Sequence, residues 1–419
     1  MERLTKFVLS LGGYAEGVFD HHDFGFPKRV LSSHISRVYD DLRGLRKPAA
    51  DLEVNLGPPD TAEDVVWEEA DDTWDYGQTI RFAAGASMIT ENYRDRMTAD
   101  NLSAAITAKI LQNCQASIVD DLIDKGGYTF IEAKDLYHHC FSSMIDPAFE
   151  VNTFRKELSQ LLKPEQFVVF DLVTSIAAGF NKLFWESCNG PDLFYEMELI
   201  NERVILGQAL TMLLRHPTIA IPKLKRIASG LWSPDRDLKW HERLSSYVAG
   251  ITYYNLIDMC FLNEPATDRE MNATMKGWYY YDLVVTHLNH IVGLQKDLRS
   301  GMANLALLSM REQDLLGLSS IQGYKPNLAQ HDYEEQFART SELCRRGLVN
   351  ATEGRGDGSM FYPFITIMIP IVMMADWIGN RDNMIHSFLR SIAPSIRESV
   401  RPWRPAPMLI AESVPARAA

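Results

Sequence analysis

The sequence predicts an all-α fold, a single-domain helical bundle, and three observations carry that expectation. Long apolar-periodic segments follow one another from about Trp74 onward, with apolar residues recurring at helical spacing. Alternating runs, the mark of half-buried strands, are scarce, and VVF at 168–170 fits its helical neighbours better. The gaps between periodic segments carry Gly, Pro, Asn and Asp, residues that end helices and turn the chain.

Taken in order, residues 1–75 form an N-terminal segment that is partly loop-like. Its stretch KPAADLEVNLGPPDTAEDVVWEEADD is rich in Pro, Gly and acidic residues. A helical domain is expected over 76–400, with helices near 76–95, 101–124, 130–143, 164–188, 195–215, 238–262, 270–300, 329–350, 361–378 and 381–392. Breakers separate them: KGG at 125–127, NGP at 189–191, HPTIAIP at 216–222, SPD at 233–235, NEP at 263–265 and GYKP at 323–326. Residues 401–419 are proline-rich and expected to be a flexible tail.

Composition narrows the function classes. The 419 residues are 46% hydrophobic and 23% charged, ordinary for a soluble globular chain. A net charge of −13 argues against a nucleic-acid binder, which would show a basic face. It does not exclude an anionic substrate, because divalent cations reverse the local sign of an acidic pocket. Cys114, Cys140, Cys188, Cys260 and Cys344 are scattered, odd in number and free of CxxC pairs. That argues against a disulfide framework or a zinc site and points to a reducing, cytoplasmic setting. MERLTKFVLSLGGYAEG shows no cleavage site, so no signal peptide is expected. The uncharged stretch Gly358–Ala375 approaches spanning length, but Pro363 and Pro370 interrupt it and Asp376 and Arg381 follow. A buried core helix, not a membrane span, is expected there.

Two constellations carry chemistry. The helix at 101–124 ends in VDDLIDKGG, where Asp120 and Asp124 share a face and Asp121 lies beside them. Three carboxylates at a helix C-terminus repel one another and oppose the helix dipole, an arrangement better tolerated beside a positive charge. Hard oxygen ligands of this kind suit Mg²⁺; the plain alternative is a solvated acidic helix end. The second stretch is NHIVGLQKDLRSGMAN, at 289–304, in which Asn289, Gly293 and Asp297 fall at i, i+4 and i+8 on one helical face. Lys296 and Arg299 add positive charge beside them. Alone, this face is either half of a metal site or ordinary surface polarity.

Together the two stretches resemble the class I terpene cyclases. That family carries a DDxxD-type motif on one helix, matched by Asp120, Asp121 and Asp124. On another it carries NDxxSxxxE, here Asn289, Gly293 in place of Ser and Asp297 in place of Glu, with Lys296 as the basic residue before the acid. Gly301-Met302-Ala303-Asn304 echoes the family's GDxxN turn, and Arg243 stands at the spacing of its diphosphate-sensing arginine. Gly379-Asn380 followed by Arg390 resembles its late Gly-Asn…Arg-Tyr element, with Ser391 where Tyr is usual. The chain departs from the pattern at His290, where the family has an acid. Gly293 also lacks a hydroxyl ligand, and Asp297 is one methylene short. Water in place of the hydroxyl, and weaker metal binding at the second site, are therefore expected.

The resemblance implies a helical bundle of the class I terpenoid synthase type and a Mg²⁺-dependent lyase. Three Mg²⁺ per site are implied, with Mn²⁺ as a substitute. The metal ligands would be Asp120, Asp121, Asp124, Asn289, Gly293 (through water) and Asp297. Arg243, Lys296 and Arg390 would bind the diphosphate, and Asp120, Asp121 and Arg243 would be catalytic. Arg203 and Arg215 are the next candidates should Arg243 fail. The substrate would be a linear prenyl diphosphate, geranylgeranyl ahead of farnesyl, cyclised to a terpene hydrocarbon or alcohol. The family also allows a homodimer. Aromatic faces stabilise migrating carbocations, and Phe184, Trp185, Tyr253, Tyr254, the WYYY run at 278–281, Phe361 and Trp377 lie on predicted helices, where most are expected to be plain core. Two alternatives stand beside this reading. One is a prenyl-chain-elongating or head-to-head prenyl synthase, which normally carries two aspartate-rich motifs. The other is a non-enzymatic helical scaffold.

Overall fold

A computed structural model describes Ala86 and residues 89–353. The expectations for 1–75, for helices 361–378 and 381–392, for Arg390 and for the tail 401–419 lie outside these residues. Among the described residues the chain is helical and no strand occurs. The helices are α1 (Ala99–Gly126), α2 (Phe130–Ser142), α3 (Val151–Leu161), α4 (Phe170–Glu186), α5 (Phe194–Thr211), α6 (Pro217–Gly230), α7 (Trp240–Ser245), α8 (Ile251–Cys260), α9 (Asp268–Arg299), α10 (Leu305–Leu316) and α11 (Gln330–Glu353).

Two long helices position the site. α1 has 28 residues, about 42 Å at 1.5 Å per residue. Thr98 starts it, accepting a hydrogen bond from the Asn101 amide at 3.2 Å, and Gly127 ends it in the left-handed conformation at φ 60°. Its middle, from Ala105 to Gln115, is buried on every face, as befits a helix inside the bundle. α9 has 32 residues and opens with a capping box: the Glu270 amide donates to Thr267 Oγ1 at 3.3 Å and the Thr267 amide to Glu270 Oε2 at 2.9 Å. α9 packs most extensively on α11 and also on α8 and α10, while α1 packs on α4 and α2 on α5. Polar ties reinforce this packing. Arg339 of α11 donates two hydrogen bonds to Glu242 of α7, at 2.7 and 2.9 Å. Trp240 donates to Glu312 of α10 at 2.8 Å. The WYYY run is core, with Trp278, Tyr279 and Tyr280 fully buried.

The all-α expectation holds, but several boundaries differ. The helix expected over 238–262 is two helices, α7 and α8, separated at 246–250. Arg203 of α5 donates to the freed Ser246 carbonyl at 3.0 Å and lies over the Tyr247 ring. Asp282 of α9 accepts from the Ile251 amide at 2.6 Å and restarts the chain as α8. These partners are distant in sequence, so the helical periodicity alone did not reveal the break. HPTIAIP, read as a breaker, opens α6 instead. Pro217 occupies the first turn, where its missing N–H costs nothing, and Pro222 frees only the carbonyl of exposed Thr218. α3 and α10 were not expected; α3 buries only Phe154 and Leu158 and so carries a weak apolar signal. The segments expected as helix at 164–169 and 212–215 are 3-10 turns, and the expected helix over 76–95 ends in two more, Thr90–Asn92 and Arg94–Arg96.

One described stretch, Pro164–Glu186, is long and apolar enough to cross a membrane by composition, at mean hydropathy 1.5. It turns Val173, Ile176, Ala177, Phe180 and Phe184 into the core.

Candidate functional site

The acidic end of α1 is held from outside. Lys163 Nζ caps the Gly126 carbonyl, and Gln166 Nε2 donates to the Leu122 carbonyl at 2.8 Å. Tyr128, just past the helix, donates to the Leu161 carbonyl at 3.0 Å. A cation on the carbonyl end of a helix offsets its dipole, which is one reason three carboxylates can sit there. Lys125 pairs with Asp121 at 3.4 Å. Asp121 borders a cavity of about 130 Å³ between the end of α1 and the 164–169 turn, lined also by Lys125, Glu165, Gln166 and Val169.

Asp120 and Asp124 lie on the other face. Asp120 accepts a hydrogen bond from the Tyr137 hydroxyl of α2 at 2.8 Å. Burial first, then the charge of Asp124, push its carboxyl up to about 7. Burial also pushes the Tyr137 hydroxyl well above the usual range. Asp124 is raised as well, first by burial; Lys296 and Arg215 oppose that shift and Asp297 adds to it. Its side chain nevertheless meets solvent. The carboxylates of α1 and the Lys296–Asp297 pair of α9 therefore share one electrostatic neighbourhood.

On α9, Asn289 is exposed and Gly293 sits one turn on. A Cβ at Gly293 would lie 3.6 Å from Asp297 Oδ2, ordinary contact with room for a larger residue. Burial raises Asp297, while a hydrogen bond from Asn304 and the charge of Lys296 oppose the shift. The turn after α9 supplies that hydrogen bond. Gly301, at φ 75°, takes the left-handed conformation that turns the chain. Asn304 then donates to Asp297 Oδ2 at 2.7 Å and to the His290 carbonyl, also at 2.7 Å, while its own oxygen caps α10 at the Leu307 amide, 2.9 Å away. His290, standing where the family has an acid, accepts from the Leu305 amide at 3.3 Å. Burial lowers its pKa to about 4, so it is a neutral structural contact.

The candidate arginines separate. Arg243 turns to its own loop, donating to the Leu238 and Arg236 carbonyls at 3.2 and 3.0 Å. It is not among the main charges acting on Asp120 or Asp124. Arg203 is engaged at the 246–250 break. Arg215, at the end of the Met212–Arg215 turn, is among the main charges acting on Asp124. Arg390 lies outside the described residues. Tyr137 and Asn304 were not picked out as site residues. Asn304 carried a signal, as the last residue of the GMAN turn; Tyr137 carried none.

Among the described residues no three His, Cys, Asp or Glu side chains converge on one point as a ready-made metal cage. The donors at hand are carboxylate and amide oxygens, and burial raises three of the carboxyls, Asp120, Asp124 and Asp297. That fits Mg²⁺, which binds through one or two carboxylates and takes its remaining ligands from water and substrate phosphate. It does not fit a protein-only cage of the zinc type.

No protein-family model matches the chain, and no curated protein matches it significantly.

Proposed function

We propose that this protein is a class I terpene cyclase. It ionises a linear allylic prenyl diphosphate, geranylgeranyl ahead of farnesyl, and closes the carbocation to a terpene hydrocarbon or alcohol. The observation that carries this reading is that the charges of Lys296 and Asp297 act on Asp124, so two motifs far apart in sequence share one electrostatic neighbourhood.

Asp120, Asp121 and Asp124 from α1, with Asn289 and Asp297 from α9, would hold Mg²⁺. Bound Mg²⁺ supplies Lewis acidity and neutralises charge on the leaving diphosphate. Lys296 donates charge-assisted hydrogen bonds to the diphosphate oxygens. Tyr137 orients Asp120, and Asn304 aims Asp297. His290, uncharged, adds no repulsion against a cation. Past the acidic rim the bundle interior is aromatic and aliphatic, which keeps water from a carbocation and offers it no strong nucleophile. With one carboxylate on the described α9 face against three on α1, cyclisation is favoured over chain elongation. A reducing compartment and a possible homodimer complete the proposal.

Thermal unfolding with Mg²⁺ and inorganic diphosphate tests the reading. Binding to the folded state raises Tm with ligand concentration. A clear rise that needs both components supports the enzyme; no rise leaves only the scaffold reading.

A further inference from the structure

We propose that Arg215, rather than Arg243, grips the anion at this site, an inference that rests on the terpene cyclase reading. Of the three arginines considered for this role within the described residues, Arg203, Arg215 and Arg243, two are already engaged. Arg243 is spent on the Leu238 and Arg236 carbonyls. Arg203 is spent on the Ser246 carbonyl at 3.0 Å and on the faces of Tyr247 and Tyr279, with ring centroids 4.7 and 5.5 Å away.

Among the described residues Arg215 has no such engagement. Its Nε is buried and has no hydrogen-bond partner among the described residues. A buried guanidinium donor left unpaired is costly, and an incoming acceptor recovers that cost.

Its placement is built by the fold. The preceding residue, Leu214, accepts a hydrogen bond from the Ala303 amide at 3.3 Å. Ala303 belongs to the turn whose next residue, Asn304, holds Asp297, and the Met302 amide returns to the Asp297 carbonyl at 2.9 Å. The backbone just before Arg215 is thus tied to the turn that follows Lys296 and Asp297, and the Arg215 charge is one of those acting on Asp124. Two cations whose charges both act on Asp124 suit a metal-bridged diphosphate bound at that carboxylate. Arg215 supplies a planar donor fork and Lys296 a point charge.

Calorimetric titration of inorganic diphosphate in the presence of Mg²⁺ tests this without relying on turnover. Arg215→Gln keeps length and polarity and removes charge, and it should weaken diphosphate binding about tenfold or more. Arg215→Lys should recover part of that loss. Arg243→Ala should bind diphosphate as the wild type does, with a lower Tm from its broken loop contacts. Arg215→Gln binding within twofold of wild type, while Arg243→Ala loses binding, overturns the assignment to Arg215 and leaves the cyclase reading standing. Wild-type protein that binds no diphosphate with Mg²⁺ overturns both.

Discussion

Asn304 donates its side-chain amide to the Asp297 carboxylate at 2.7 Å, and the same side chain caps α10 and grips the His290 carbonyl at the end of α9. One residue thus couples the direction of a candidate metal ligand to the start of the next helix. Asp297 is a methylene shorter than the family's usual Glu, so its reach depends on how this turn presents it.

Asn304→Ala removes both functions. The lost helix cap costs about 1 kcal/mol of stability, and Asp297 loses its orienting donor. Asn304→Asp keeps a capping oxygen but sets a like charge beside Asp297. Denaturant unfolding should show the Asp variant more stable than the Ala variant. Titration of Mg²⁺ with diphosphate should show both weakened. Undiminished affinity in both variants would detach Asn304 from the metal site.

Gly293→Ser should be accommodated, since a Cβ there meets Asp297 only at 3.6 Å or more. Replacing a mid-helix glycine also removes a backbone-entropy cost of roughly 0.5–1 kcal/mol. The variant should keep or gain Tm and bind Mg²⁺ more tightly in the presence of diphosphate. No gain in Mg²⁺ affinity would count against the hydroxyl as the missing ligand.

Lys109 and Asp258 form an ion pair at 2.7 Å with both side chains fully buried, tying α1 to α8. Lys109 also donates to the Ala86 carbonyl at 2.8 Å and contacts the Thr90 hydroxyl. Lys109→Met removes the cation paired with the buried Asp258 carboxylate, at a cost of about 3–5 kcal/mol. Replacing both residues with apolar ones of similar volume should recover most of that loss. A double variant no better than the single one would show that the wider polar network, not the pair, carries the stability.

Asp282 gives a pH dependence. Burial pushes its carboxyl up to about 7, against the opposing charge of Arg203 and hydrogen bonds from Thr252 and the Ile251 amide. Its folded-state pKa lies above its unfolded value, so its contribution to stability is fullest below about 4 and is lost as pH rises through about 7. The loss is at most about 4 kcal/mol at 1.36 kcal/mol per unit. Asp282→Asn keeps an acceptor for the Ile251 amide and should flatten this part of the profile. Parallel pH profiles for wild type and variant would remove Asp282 as the cause.

Much of the fold and part of the site could be read from local spacing. DDLID lies on one turn of α1, and Asn289, Gly293 and Asp297 share a face of α9, because both patterns need only the helical period. The features that escaped depend on partners distant in the chain. The 246–250 break is held by Arg203 and Asp282, neither of which marks the local sequence. Pro217 and Pro222 resemble a breaker in sequence, yet Pro217 opens a helix at its first position and Pro222 frees only the carbonyl of exposed Thr218. Arg243 stands at the family's spacing, but spacing does not set where a long side chain points. Its own loop carbonyls were the nearer acceptors.

The central claim is that this bundle ionises and cyclises one allylic diphosphate. Mass-spectrometric product analysis after incubation with geranylgeranyl or farnesyl diphosphate and Mg²⁺, without isopentenyl diphosphate, tests it most directly. The account predicts a terpene hydrocarbon or alcohol with release of diphosphate, nearly abolished in Asp120→Ala although that variant stays folded. No product until isopentenyl diphosphate is added, or undiminished turnover in Asp120→Ala, would contradict it.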